Sequence, residues 1–269
     1  MTSPFRDLDR PPLRSASLRR GLVAADGLWT DIRVLETAAS TNAEVAAAAR
    51  DGAPEGLVVV AESQTAGRGR RDRAWTTPPR AGLTFSVLLR PSFPAAGWGW
   101  LPLLAGLAVA TPVRAMSEVD VRLKWPNDVL VGERKLGGIL TEVVGAGVVV
   151  GIGLNVSLRA DELPVPAATS LALEGSAVVD REPVLRAALR ELERRYRDLT
   201  RAGGDAVASG LAADYRAACA TLGRAVRVEL PGPRVVEGQA VDVDGDGRLV
   251  LDTASGPQTV AAGDVIHVR

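Results

Sequence analysis

The sequence predicts an α+β protein: a mixed, largely antiparallel sheet with helices, followed by a small SH3-like C-terminal β-barrel. Three patterns carry this. Val129 to Val131, Gly138 to Val144 and Val148 to Asn155 are apolar runs joined by the short turns Gly-Glu-Arg and Gly-Ala-Gly. That spacing suits an antiparallel meander and not the long crossovers of a doubly wound parallel sheet. Leu185, Leu189, Leu192, Tyr196 and Leu199 recur at helical spacing and form the apolar stripe of a helix over Glu182 to Thr200. Beyond residue 222 the runs shorten and alternate, and Pro231-Gly-Pro, Asp244-Gly-Asp-Gly247 and Ser255-Gly-Pro separate them, as in a small barrel.

The remaining elements follow in chain order. Residues 1–35 carry prolines and scattered arginines without a sustained apolar period, and are expected to be an N-terminal arm too short for a winged-helix domain. A helix is expected to begin near Ser40, where Thr41 and Glu44 have capping-box spacing and Gly52 ends an alanine-rich run. Leu57 to Ala61 and Leu83 to Leu89 read as strands, and Trp98 to Met116 as a buried apolar helical stretch broken by Pro102 and Pro112. Val119 to Lys124 alternates and stops at the turn signature Trp125-Pro126-Asn127-Asp128. A second helical segment ends near Leu222, which sets the expected domains at 36–221 and 222–269.

Composition excludes several function classes. Lys+Arg and Asp+Glu are both 32 in 269 residues, so no general cationic surface exists for nucleic acid and any such role must be local. One histidine, His267, and one cysteine, Cys219, cannot assemble a structural zinc site or an internal disulfide. His267 lies in the terminal alternation Val265-Ile266-His267-Val268 and reads as a strand-face imidazole, so histidine-based nucleophilic catalysis is not expected. Cysteine scarcity and the lack of a leading apolar segment point to a cytoplasmic setting. No membrane span is expected, since Val143 to Leu154 is glycine-broken and short of the roughly 20 residues required. Of the 32 basic residues only Lys124 and Lys135 are lysines, and they lie close together. A compact ammonium is not interchangeable with a planar guanidinium, which marks both positions.

Gly67-Arg-Gly-Arg-Arg-Asp-Arg73 packs four arginines among two glycines. Such a segment lacks an internal counter-charge and is expected to be mobile until an anion binds. Guanidinium forks hold phosphate or carboxylate oxygens, glycines admit close backbone approach, and Trp75 offers a stacking face; a solvated surface loop and a core tryptophan are the alternatives. No Gly-Lys pair exists, so a Walker loop is excluded, and neither Gly67-x-Gly69 nor Gly151-x-Gly153 continues into a dinucleotide fingerprint.

Five motifs then occur in order: Ser40-Thr-Asn; Gln64 with Gly67-Arg-Gly-Arg-Arg and Trp75; Lys124-Trp-Pro-Asn-Asp; Lys135-Leu-Gly-Gly-Ile-Leu; and Gly151-Ile-Gly-Leu-Asn. Together they resemble a biotin protein ligase of the form lacking an N-terminal DNA-binding domain, over residues 40 to 269. The resemblance implies a catalytic domain similar to class II aminoacyl-tRNA synthetases. It also implies condensation of biotin and ATP to biotinyl-5'-AMP, with Mg2+ accompanying the nucleotide. Transfer to a lysine of a biotin carboxyl carrier domain of acyl-CoA or pyruvate carboxylases follows. Neither specific DNA binding nor a membrane partner is expected.

Under that resemblance Ser40, Thr41 and Asn42 bind the ureido head of biotin, Gln64 orients it, and Gly69 and Gly138 leave room beside it. Arg68 and Arg70 hold the acyl-phosphate region, and with Lys135 they are the catalytic candidates, because fixed cations let two anions meet. Arg71, Arg73, Trp75, Lys124, Asn127 and Asn155 are assigned to the nucleotide, with Trp75 on adenine and Lys124 on the phosphates or the neighbouring turn. Asp128 is the candidate Mg2+ ligand or an outer acceptor; for it and both asparagines a turn-stabilising role stands as the alternative. Asp72 departs from the glycine usual in the arginine loop. A lipoate or octanoate transferase is the nearest rival within the superfamily, and a nucleic-acid-binding module the rival from another class.

Overall fold

A computed structural model of the chain describes residues 10–268; residues 1–9 of the expected arm, Arg269 and the side chain of Asp72 lie outside the described residues. Helix α1 (Ser15–Leu22) precedes β1 (Asp31–Leu35), α2 (Thr41–Arg50), β2 (Leu57–Ala61) and β3 (Gly82–Leu89). Then come α3 (Leu101–Ser117), β4 (Val121–Lys124), β5 (Asp128–Val131), β6 (Arg134–Val144), β7 (Gly147–Asn155), α4 (Arg181–Arg201) and α5 (Leu211–Ala218). The chain ends in β8 (Ala225–Glu229), β9 (Val235–Val243), β10 (Leu249–Thr253), β11 (Gly256–Val260) and β12 (Asp264–His267).

Seven strands form one sheet in the order β1-β2-β3-β7-β6-β5-β4, antiparallel except for the parallel β1/β2 pair. The expected mixed, largely antiparallel sheet is therefore present. Strand β3 is buried along its whole length because helices cover both faces. On one face Val45 and Ala46 of α2 pack on Leu57, Val59, Leu88 and Val149. On the other, Val58, Val60, Phe85 and Val87 join α3, α4 and α1 in a core that continues into the second sheet. That second sheet is antiparallel, in the order β11-β10-β9-β8-β12. Its β9–β10 turn is seated on two buried indoles, Trp100 donating to Gly245 O at 2.8 Å and Trp125 to Gly247 O at 3.0 Å.

The structure departs from expectation in three elements. Residues 10–35 are not a free arm: Leu13, Leu18, Leu22 and Trp29 are buried and β1 is an edge of the main sheet. The eight-residue α1 is amphipathic, with Leu18 and Leu22 one turn apart on its buried face, but it is too short to be stable by itself, and burial against α4 and β1 holds it. Pro112 does not break α3, which continues through the buried Val113 and Ser117, while Pro102 sits in the first turn where no donor is lost. Burial of that apolar face exceeds the roughly 3 kcal/mol an interior proline costs. The apolar stretch Ala95–Ser117 has the length and hydropathy of a membrane span, but it is mostly buried as this core helix. Finally, Ser40 and not Thr41 is the N-cap of α2, no side-chain capping bond forms, and the Thr41 hydroxyl is bonded to Gln64 and Ser86 instead. His267 is indeed a strand residue, bonded to Thr221 at 3.3 Å, and burial beside Lys124 lowers its pKa.

A buried ion pair ties the N-terminal segment down. Arg181 Nη1 donates to Glu62 Oε2 at 2.5 Å with both side chains almost fully buried; Arg181 also donates to Pro11 O, and Glu62 accepts from Leu13 N. Removing one partner strands a charge in low dielectric, so Arg181→Ala is expected to destabilise the fold by about 3–5 kcal/mol in denaturant unfolding. A loss below about 1 kcal/mol would show that water reaches the pair.

Candidate functional site

The site is a clearing on the α2 face of the main sheet. Paired residues on neighbouring strands point to one side, and the register sets Ala61, Thr84, Gly153, Gly138, Asp128 and Lys124 in a single row. The adjacent row is Ser86, Gly151 and Leu140. Glycines here are required by what covers them. A Cβ at Gly151 would lie 2.0 Å from Asn42 Oδ1, and one at Gly153 2.4 Å from the Trp75 ring.

A cavity of about 570 Å³ opens over this floor, a size that suits a small-molecule ligand. Ser40, Thr41, Asn42, Gln64, Arg68, Gly69, Arg70, Arg73, Trp75, Lys124, Asn127, Asp128, Lys135, Gly138 and Asn155 all line it. Arg71 does not: its guanidinium is turned onto the C-terminal sheet, donating to Glu229 O at 2.5 Å and to Asp264 Oδ2 at 3.3 Å.

At one end of the cavity the N-terminus of α2 is wired to its neighbours. Gln64 Oε1 accepts from Thr41 N at 2.8 Å, and Ser86 Oγ lies 2.8 Å from Thr41 Oγ1 and 2.6 Å from Asn42 Oδ1. At the other end Lys135 Nζ donates to Asp128 Oδ1 at 2.6 Å. Regular alternation would have pointed Lys135 away from the cavity, into the α3 core. The β5/β6 register shifts between Val129 and Leu130, so that Lys135 pairs with Leu130 while Gly137 pairs with Val129. This bulge sends Leu136 into the core and Lys135 into the cavity. Lys124 also faces Asp128; burial lowers its pKa, Asp128 opposes that, and the neighbouring Lys135 ammonium adds to it.

The arginine loop is not free, contrary to expectation, because its counter-charge comes from distant parts of the chain. Arg70–Asp72 forms a single 3-10 turn with Arg71 in the left-handed region at φ 51. Arg70 donates to Asn127 Oδ1 at 3.0 Å and Gly263 O at 3.1 Å, Arg73 pairs with Asp264, and Arg68 donates to Glu142 Oε1 at 3.2 Å. Burial lowers the Arg70 pKa, and Asp264 and Asp128 work against that. Asn127 Nδ2 is engaged by Ile139 O and Asn155 Nδ2 by Thr169 O, so each asparagine also braces the backbone beside the cavity.

These features coincide with comparisons to known proteins. The chain is 46% identical over 269 residues to the biotin acetyl-CoA-carboxylase ligase of Mycobacterium tuberculosis, covering 98% of this chain and 99% of that protein. The chain belongs to the biotin protein ligase family. The Biotin/lipoate A/B protein ligase family matches residues 37–158, and the Biotin protein ligase C terminal domain matches residues 221–268. The bifunctional ligase/repressor BirA of Bacillus spizizenii is 34% identical over 276 residues, covering 97% of this chain and 81% of the relative. Among solved structures, the biotin protein ligase from Aquifex aeolicus in complex with biotin and ATP superposes with a TM-score of 0.75. It is 28% identical and covers 90% of this chain and 100% of that one. The Leishmania major biotin protein ligase in complex with biotinyl-5-AMP gives a TM-score of 0.61 at 25% identity, covering 87% and 99%.

Sequence reasoning missed Glu142, Ser86 and Asp264. Glu142 was within reach, since Gly138, Leu140 and Glu142 alternate along one strand and share a face. Asp264 gave no signal, because it meets the loop only through the packing of the second sheet. Asp264→Asn removes the carboxylate shared by Arg71 and Arg73. Trypsin cleavage within Arg68 to Arg73 is therefore expected to accelerate at least about fivefold, with the global melting temperature nearly unchanged. Equal cleavage rates would show that Asp264 does not restrain the loop.

Proposed function

We propose that the cavity performs the two steps of an ATP-dependent biotin protein ligase. Biotin is condensed with ATP to biotinyl-5'-AMP, and biotin is then transferred to a lysine of a biotin carboxyl carrier domain of acyl-CoA or pyruvate carboxylases. The observation that carries the reading is the juxtaposition, in one cavity, of a neutral hydrogen-bonding group (Ser40, Thr41, Asn42, Gln64) and a cationic end (Arg70, Lys124, Lys135), with Arg68 held beside the former through Glu142. Biotin has this polarity, a neutral ureido head and an anionic tail, and the cationic end is where the tail meets the nucleotide.

Attack of the biotin carboxylate on the α-phosphate brings two anions together, so fixed positive charge supplies the main lowering of the barrier. Lys135 holds that place, with Asp128 as its partner before substrates bind. Arg68 and Arg70 take the acyl-phosphate oxygens, Gly69 allows the backbone to approach, and the loop excludes water from the mixed anhydride. Trp75, whose ring lies over Gly153 and Gly138, stacks on adenine. Arg73, Lys124, Asn127 and Asn155 complete the nucleotide site, and Arg71 acts by anchoring the loop instead of touching phosphate. No residue serves as a covalent nucleophile; the acceptor lysine brings its own.

Among the described residues no group of three or more His, Cys, Asp or Glu side chains could hold a metal ion. One carboxylate plus nucleotide phosphates suits Mg2+, which keeps several waters, and Asp128 is the residue that would hold it and so help neutralise phosphate charge. The same reading places a catalytic unit of class II aminoacyl-tRNA synthetase type in residues 10–221, an SH3-like unit in 222–268, and the enzyme in the cytoplasm. Five antiparallel strands and a single cysteine support these assignments.

Biotin-dependent exchange of pyrophosphate into ATP tests the function. The wild-type chain is expected to catalyse it, and Lys135→Ala is expected to reduce it at least about 100-fold, roughly 2.7 kcal/mol of transition-state stabilisation. Calorimetry showing lipoate or an oligonucleotide bound in place of biotin would reject the reading.

A further inference from the structure

Behind Asn42, which lines the cavity, lies a carboxylate that the two-step reaction does not use. Glu142 Oε2 accepts a hydrogen bond from Asn42 Nδ2 at 2.6 Å, and the second proton of that amide goes to Leu140 O at 3.2 Å. On the other side of the amide, the hydroxyl of Ser86, itself fully buried, lies 2.6 Å from Asn42 Oδ1. Both amide protons are thus engaged, and the amide oxygen keeps one lone pair. Rotating the amide by half a turn would aim its oxygen at a carboxylate and a carbonyl, two acceptors, inside a buried site. Glu142, through the shorter of the bonds to the amide nitrogen and together with Leu140 O, therefore fixes which way Asn42 faces.

We propose that Glu142 is a positioning residue for biotin recognition. It locks Asn42 as a hydrogen-bond acceptor, the polarity that a ureido N–H requires, with Ser86 securing the same amide from behind. The inference rests on the reading that this cavity binds biotin. The second contact of Glu142, to Arg68, joins two half-exposed side chains and is a weak tether. The charge-assisted bond to the buried Asn42 is the one that matters. Gly151 is part of the same device, because any side chain there would displace Asn42 Oδ1.

Biotin and ATP dissociation constants measured separately by calorimetry provide the test. Glu142→Ala is expected to weaken biotin binding about tenfold or more while ATP affinity stays within about twofold. Glu142→Gln keeps an acceptor for Asn42 and is expected to restore biotin affinity to within about threefold of wild type, which separates orientation from charge. Ser86→Ala should lower biotin affinity less. Combined with Glu142→Ala it should cost less than the product of the two effects, since both act through one amide. Biotin binding by Glu142→Ala within about twofold of wild type, a parallel loss of ATP affinity, or a Gln variant as impaired as the Ala variant overturns the proposal. If Glu142→Ala does not fold, Ser86→Ala decides: a biotin-specific loss supports the proposal and unchanged affinity overturns it. Failure of the wild-type chain to bind biotin would instead overturn the function itself, and this inference with it.

Discussion

In the middle of the seven-stranded sheet, Gly151 and Gly153 of β7 and Gly138 of β6 leave two neighbouring rows without side chains at their centre, and the site depends on that opening. Sheet faces in such a protein are ordinarily closed by a helix. Here α2 closes only the rows with bulk, resting Val45 and Ala46 on Val59, Leu88 and Val149. One row further, Gly151 gives the helix nothing apolar to pack on, and the polar N-terminus of α2 turns Thr41 and Asn42 downward into the gap. One row further again, Gly153 and Gly138 admit the Trp75 ring. Side-chain volume falls stepwise along the sheet, and the lining changes with it from apolar core to amide to indole over open backbone.

Charge is arranged by an equally simple rule. Each arginine of the 68–73 turn meets oxygen supplied by this chain: Arg68 at Glu142, Arg70 at Asn127 and Gly263, Arg71 and Arg73 at Asp264. A segment that cannot fold alone is thereby folded, and half the partners belong to the C-terminal sheet. That sheet is thus part of the site's electrostatics even though it contributes little to the floor. The half-exposed pairs are individually weak, so a ligand anion that engages the same guanidinium groups faces only a small opposing free energy.

How far the sequence reveals this varies with the range of the interaction. Short motifs, through the family they resemble, already point to much of the cavity lining from Ser40 to Asn155, because each is a compact run of residues that can be read without its tertiary context. Glycine pairs such as Gly137-Gly138 and Gly151-x-Gly153 are visible too, but their reason is not. Asn42 and Trp75, which fill the space, lie about 110 and 80 residues away in the chain. Arg71 is grouped with the nucleotide in sequence because it looks identical to its neighbours; only its left-handed backbone and the position of Glu229 separate it from them. The expected arm failed for a related reason. In eight residues the period rests on a single i, i+4 pair, Leu18 and Leu22, and these become core residues only when α4 and β1 are in place.

The two lysines bring local and distant information together. In a chain that uses arginine almost everywhere else, both lysines converge on one carboxylate, Lys124 through strict register with Asp128 and Lys135 through a bulge that reverses its direction. An arginine at 135 would present a planar fork with a longer reach, and the fork would pair with Asp128 through two bonds, a geometry harder to leave. An ammonium holds the same carboxylate through one point contact and turns on a flexible stem. A lysine at the one bulged position in this strand pair has what a group needs if it is to exchange a carboxylate partner for the charge that develops between two substrates.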